Sequence, residues 1–207
     1  MFVIAVTGGV ASGKSVFIEA FTRLAEGQVE CFDCDQAVHA LLTEPEILME
    51  IRNRFGSEVF DDEGKLDRER MRKRIFASEH DRKDLENFLH PRVLEQAHLV
   101  KRAASERDEP PGCLLFEVPL LYEVDFSLQR DTDVVVAASL EVQLKRLREN
   151  RNLDDETIEQ ILKVQWPMEE KISRAERVIW NDGCAAELEE EAHLLKAWID
   201  KKRQANE

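Results

Sequence analysis

Gly8-Gly9-Val10-Ala11-Ser12-Gly13-Lys14-Ser15 meets the phosphate-loop pattern GxxxxGK[ST] at every fixed position. The octapeptide follows an apolar, β-branched run, Phe2-Val3-Ile4-Ala5-Val6, and precedes the helix-like stretch Val16-Phe17-Ile18-Glu19-Ala20-Phe21. Strand, loop and helix in that order are what phosphate binding needs. Glycines at 8 and 13 tolerate positive φ in a tight loop and let backbone N–H groups approach phosphate oxygens. A helix starting near Gly13 adds unpaired N–H groups and its positive dipole end. Lys14 then reaches the β- and γ-phosphates, and the Ser15 hydroxyl ligates Mg²⁺. Gly8, Gly9, Ala11, Ser12, Gly13, Lys14 and Ser15, with Val16 just beyond, are the candidate nucleotide-binding set. A Gly-rich turn that binds nothing is the plainer alternative, but it leaves the terminal Lys-Ser unexplained. The chain reads as a nucleoside-triphosphate binder.

Composition narrows the partners. A chain of 207 residues can bury one sizeable core with small insertions. No apolar run reaches the ~18 residues of a membrane span. The short apolar start leads straight into the loop, so it reads as a core strand and not as a signal peptide. A cytoplasmic protein with reduced thiols is expected. The formal net charge of −14 argues against nucleic acid, whose binders carry a basic footprint. Polyphosphates must nevertheless enter this acidic protein, which makes clustered cations informative. They are Arg68, Arg70, Arg72, Lys73 and Arg74 in one stretch and Lys145, Arg146, Arg148 and Arg151 in another. A solvated helix face balanced by neighbouring acids is an equal reading for each. Cys31 and Cys34 form a CxxC with no second pair at zinc-finger spacing, and their strand-like surroundings suit plain thiols better than a metal knuckle.

Strand candidates at 2–6, 29–32, 113–117, 132–137 and 177–180 alternate with helical patterns at 12–25, 36–42, 45–55, 68–76, 81–107, 140–149, 155–164 and 185–202. Near-continuous hydrophobic strands between helices imply an α/β fold, a five-stranded parallel sheet covered on both faces. Such sheets bind ligands beyond the carboxyl ends of their strands. The expectation is a three-layer P-loop NTPase-type core from 1–35, 108–140 and 173–207. Segments 36–107 and 141–172 hold only helical patterns and read as insertions, with room for an acceptor-binding domain and a lid.

Asp33-Cys34-Asp35 follows the second strand at its carboxyl end. A carboxylate there can hydrogen-bond an acceptor hydroxyl and take its proton during phosphoryl transfer. Either Asp can equally cap the next helix. Glu117 ends the third strand, where a Walker-B-type acid supports Mg²⁺, by way of a bound water. His90-Pro91 interrupts the long helical stretch, since the residue before proline is pushed from the α region. His90 is therefore expected at a kink or a helix start.

With these residues in view the chain resembles the dephospho-CoA kinase family nearly end to end. The matching segments include Thr7 through Ser15, Asp33-Cys34-Asp35 with His39, Leu66-Asp67-Arg68, Arg74-Ile75-Phe76 and Leu89-His90-Pro91. They continue through Glu117-Val118-Pro119-Leu120-Leu121-Tyr122-Glu123, Leu144-Lys145-Arg146-Leu147, Gln165, Glu170-Lys171 and 175–183. The resemblance implies phosphorylation of the ribose 3′-hydroxyl of dephospho-CoA, with ATP as co-substrate and Mg²⁺. It implies Asp33 as the base beside Lys14, and Asp35, Arg68, His90 and Leu120 as substrate contacts in or near a CoA-binding insertion. Asn181 and Gly183 match a loop near the adenine. The family often has Asp where this chain has Glu117, and Ala where it has Cys34. Its lid arginine sits about three residues before a Leu, whereas Arg151 sits two before Leu153, so Arg148 and Arg151 both stand as ATP contacts. The active unit is read as a monomer. Another small-acceptor P-loop kinase is the first alternative, disfavoured by Leu-His-Pro and Pro-Leu-Leu. A P-loop switch is the second, but a GTP switch should carry Asn-Lys-x-Asp, and the chain does not.

Overall fold

The computed structural model describes residues 1–25, 27–124, 126–151 and 154–206, without the side chains of Asn150, Arg151 and Asn206. The unbroken apolar run from Phe2 to Val6 leaves the first strand no polar face, so it must lie inside a sheet. β1 (Phe2–Gly8) is buried along its whole length and is the central strand. It pairs with β3 (Cys113–Glu117) and β4 (Thr132–Ala137), which pair outward with β2 (Val29–Asp33) and β5 (Arg177–Trp180). Among the described residues these strands form one all-parallel sheet in the order β2-β3-β1-β4-β5. All five carboxyl ends therefore lie along one edge.

One face of the sheet is covered by α1 (Lys14–Leu24) and α9 (Ala185–Asn206). Their apolar stripes, Phe17, Ile18 and Phe21 with Leu188, Ala192, Leu195 and Ile199, share a core with Phe2, Ile4, Val6, Leu115, Val134 and Val136. By the two-residue period of a strand, Val3, Ala5, Leu114, Phe116 and Val135 face the other way, and they too are buried. There the Phe116 ring meets Phe32 at 5.7 Å and Phe126 at 6.4 Å.

The chain divides into two compact units, one of Met1–Asp33 with His98–Glu207 and one of Cys34–Ala97. The second unit contains α2 (Cys34–Leu41), α3 (Pro45–Phe55), a 3₁₀ turn at Ser57–Val59, α4 (Arg68–Ala77) and the start of α5 (Glu79–Ser105). Ile51, Phe55, Val59, Phe60, Met71 and Phe88 are among its buried residues. Arg74 ties three segments of that unit, donating to Asp81 at 2.7 Å, to Glu58 at 2.5 Å and to the Phe55 carbonyl at 3.1 Å. In the sheet unit, α6 (Leu140–Arg151), α7 (Asp155–Val164) and α8 (Met168–Arg174) follow β4.

Three sequence expectations are corrected. α8 is a separate helix that the pattern did not reveal, because it spans only seven residues. α5 runs through Pro91, so His90 lies inside a helix and not at a break. Leu89, Val93 and Ala97, spaced by four, stay buried on either side of the proline, and that burial outweighs the ~3 kcal/mol cost of an interior proline. Arg92 covers the neighbouring Phe88 carbonyl at 2.6 Å. The third concerns Gly8, whose φ is not positive. A Cβ there would stand 2.3 Å from the Val136 carbonyl oxygen, so close strand packing accounts for it.

Candidate active site

The loop begins where β1 ends and closes on the start of α1. Gly13, at the N-cap of α1, has φ 92°, which a side chain disfavours. Ala11 at φ 56° is the one non-glycine residue with positive φ among the described residues. That strained turn is held from outside. Arg146 of α6 donates to the carbonyl of Ala11 at 3.3 Å and to that of Asn181 at 3.0 Å. The buried Asn181 carboxamide donates to the Ser12 carbonyl at 2.8 Å. In a trans peptide the carbonyl and the following N–H point opposite ways. Tying back the Ser12 carbonyl thus turns the Gly13 N–H away from Asn181, with the positive end of α1 behind it.

Sheet register assembles the acids. Glu117 pairs with Val6 on one side and Asp33 on the other, so the two carboxylates end adjacent strands. Lys14 forms an ion pair with Glu117 Oε1, and each side chain is only 12% exposed. Ser15 Oγ lies 3.4 Å from the same oxygen. A hydroxyl that can ligate and a carboxylate that can hold a metal-bound water are the hard-oxygen groups that suit Mg²⁺. The residues present fit that ion.

The other sequence candidates fall out as follows. Gly183 lies in the loop after β5, against the Glu187 carboxylate. Leu120 is half-buried just past β3, where the adjacent Pro119 carbonyl accepts from Thr7 Oγ1 at 3.2 Å. Val16 is exposed at the start of α1. Arg148 is on the surface, paired with Asp155 at 3.0 Å. The Arg151 side chain lies outside the described atoms, and Leu153 lies outside the described residues. Asp35, Arg68 and His90 belong to the second unit. Arg68 opens α4 exposed and makes no ion pair among the described residues, whereas Arg70, Lys73 and Arg74 are engaged by acids. His90 titrates below its ordinary value, because burial penalises the charged form more than Glu86 favours it.

Sequence reasoning left Arg146 inside a cation cluster and passed over Gln143. The two are three apart on α6, hence on one helix face. Gln143 Oε1 stands 2.6 Å from where a Cβ on Gly9 would be. That i, i+3 polar pair, just after the strand registered against Gly8, is the signal that could have found them. Cys113 offers no reactive thiol, since burial in β3 pushes it up to about 12.

Comparison with known proteins agrees with this arrangement. Residues 2–187 match the family model described as dephospho-CoA kinase. A dephospho-CoA kinase of Syntrophotalea carbinolica is 33% identical over 199 residues, covering 95% of this chain and 92% of that protein. A solved Thermus thermophilus structure aligns with a TM-score of 0.75 at 28% identity, over 95% of this chain and 96% of that one. Dephospho-CoA kinase from Campylobacter jejuni, at 24% identity, shares the fold with a TM-score of 0.62 over 95% of this chain and 96% of its own. Loop, sheet and both helical stretches fall within the matched span, and the chain belongs to the dephospho-CoA kinase family.

Proposed function

We propose that this protein transfers the γ-phosphoryl group of ATP to the ribose 3′-hydroxyl of dephospho-CoA, giving CoA and ADP. The observation that carries the reading is the register that sets Asp33 beside Glu117, with Lys14 and Ser15 on the same carboxylate. Asp33 accepts the hydroxyl proton as the acceptor oxygen bonds to phosphorus and the bond to the β–γ bridging oxygen breaks. A loose transition state asks more of alignment than of basicity, so a carboxylate suffices. Lys14 leaves Glu117 for the β- and γ-phosphate oxygens. The N–H groups of residues 8–15 cradle the phosphates, and Arg146 with Asn181 holds the loop in shape. Ser15 Oγ, and Glu117 by way of a bound water, would hold Mg²⁺, which would supply neutralisation of phosphate charge. Segment 36–107 takes dephospho-CoA, with Asp35, Arg68, His90 and Leu120 as contacts. Arg68 has the free guanidinium that a diphosphate recognises. Segment 141–172 closes over ATP as a lid, with Arg148 and Arg151 as its charges. One cytosolic chain suffices for this reaction, without nucleic acid or membrane.

The test is ADP formation from ATP and Mg²⁺ with dephospho-CoA, nucleoside monophosphates, shikimate or gluconate as acceptor. ADP release that depends on dephospho-CoA is expected. Turnover with another acceptor and none with dephospho-CoA would sink the assignment.

A further inference from the structure

The tip of the phosphate loop is held by a residue from the far end of the α6–α7 segment. The Val10 N–H donates to Gln165 Oε1 at 2.8 Å, across 155 positions of sequence. Gly9, one residue earlier, is pressed between Gln143 and Met168: a Cβ there would meet Gln143 Oε1 at 2.6 Å and Met168 Cε at 2.7 Å. Gln143 is itself fixed, buried and donating to the Ala138 carbonyl at 2.8 Å. Residues from α6, the α7–α8 junction and α8 thus converge on Gly9-Val10.

The junction carrying Gln165 is anchored on its other side. Gln165 is the extended C-cap of α7, at φ −94° and ψ 149°. The next N–H, of Trp166, donates to Glu123 Oε1 at 2.8 Å. The same oxygen pairs with Lys171 Nζ at 2.6 Å, and Lys171 is fully buried. The Trp166 ring stacks on Tyr122 at 6.3 Å and carries the Arg174 guanidinium 4.4 Å above its centroid. Glu123 Oε2, also buried, has no hydrogen-bond partner among the described residues. A buried ion pair with an unsatisfied oxygen is a poor source of stability, so its retention fits a role in holding geometry.

We propose that Gln165 is a positioning residue for phosphoryl transfer. Its carboxamide fixes the loop tip and couples it to α7 through the Trp166–Glu123–Lys171 anchor. A neutral acceptor suits this place. It satisfies the Val10 N–H while the loop is open and adds no charge where polyphosphate arrives, as a carboxylate would. Because Gln165 follows α7 directly, a shift of the Val10 peptide on nucleotide binding displaces the end of that helix.

This inference rests on the proposed reaction for its kinetic arm only. The full-length chain and its Gln165→Ala and Gln165→Glu variants are compared by hydrogen exchange over peptides covering 8–15 and 155–164, with and without ATP. Steady-state kinetics follow, varying ATP and dephospho-CoA in turn. Gln165→Ala should speed exchange at the loop tip and abolish the response of 155–164 to ATP. It should raise KM for ATP and lower kcat by about 10-fold each, as misplacement of a reacting group does, and leave KM for dephospho-CoA within ~2-fold. Gln165→Glu should restore loop protection without ATP, yet keep the raised KM for ATP. Wild-type loop exchange with wild-type KM for ATP in Gln165→Ala overturns the proposal. So does a loss of melting temperature with KM rising equally for both substrates, the mark of a merely structural role. Exchange is read without turnover. A wild-type chain that ignores dephospho-CoA therefore removes the reaction assignment and leaves the exchange test standing.

Discussion

The phosphate loop and the second unit use arginine differently. At the loop, Arg146 is spent on backbone carbonyls, Ala11 and Asn181, so its charge holds a strained turn instead of a carboxylate. In Cys34–Ala97 arginines reach both acids and carbonyls, as Arg74 does with Glu58, Asp81 and the Phe55 carbonyl, while Arg68 is exposed and makes no ion pair among the described residues. The loop is braced from outside by Arg146 and Asn181. The second unit leaves the Arg68 guanidinium without an ion pair among the described residues. The contrast teaches that a cation cluster in sequence is not one feature, since its members divide into scaffold and contact only once burial and partners are known.

Substitutions test this contrast. The largest effect is expected from Asp33→Asn, which should cut kcat by about 10²–10⁴-fold while ATP affinity is kept, measured by coupled ADP release and nucleotide titration. Near-normal kcat would remove Asp33 as the base. Next, Phe17→Ala beneath the loop helix should cost about 3–5 kcal/mol in urea unfolding, as a fully buried aromatic should. Arg74→Ala in the other unit removes partly solvated pairs and should cost much less, with a salt dependence that Phe17→Ala lacks. Arg68→Ala should raise KM for dephospho-CoA about 10-fold and leave KM for ATP unchanged, since it removes one charge-assisted contact. An equal rise for ATP would place Arg68 with the donor.

The smallest effect concerns pH. Burial keeps the folded-state pKa of His90 below its unfolded value near ~6.5. Below that value the unfolded chain binds the proton more readily, so stability falls as pH drops, and His90→Gln should remove that part of the loss. Denaturation midpoints at pH 7 and pH 5.5 measure it, and an unchanged difference in the variant removes His90 as the cause.

Much of this was legible from local pattern. The Gly-rich loop with its Lys-Ser, five short apolar runs and two acids at strand ends determine a parallel sheet and its ligand edge, because each signal is contained in a few consecutive residues. What pattern missed depends on separation in the chain. Gln165 reaches Val10, and Asn181 reaches Ser12, only once β4 lies beside β1 and β5 beside β4. His90 was misplaced for another reason: a local proline rule yielded to burial spaced over two further turns of α5. Gly8 was placed correctly for the wrong cause, since its constraint is a carbonyl on the neighbouring strand.

The Lys14–Glu117 pair also sets what the loop will ignore. An anion approaching the nest of N–H groups must compete with a carboxylate that already holds the lysine, at a site with little solvent exposure. Inorganic phosphate or sulfate offers no replacement partner for Glu117 and so must leave it an unpaired, mostly buried charge. A triphosphate arriving with its own divalent cation gives both sides of the broken pair a counter-charge at once. On the proposed reaction the metal complex should therefore bind in preference to the bare ion, and millimolar phosphate should inhibit only weakly.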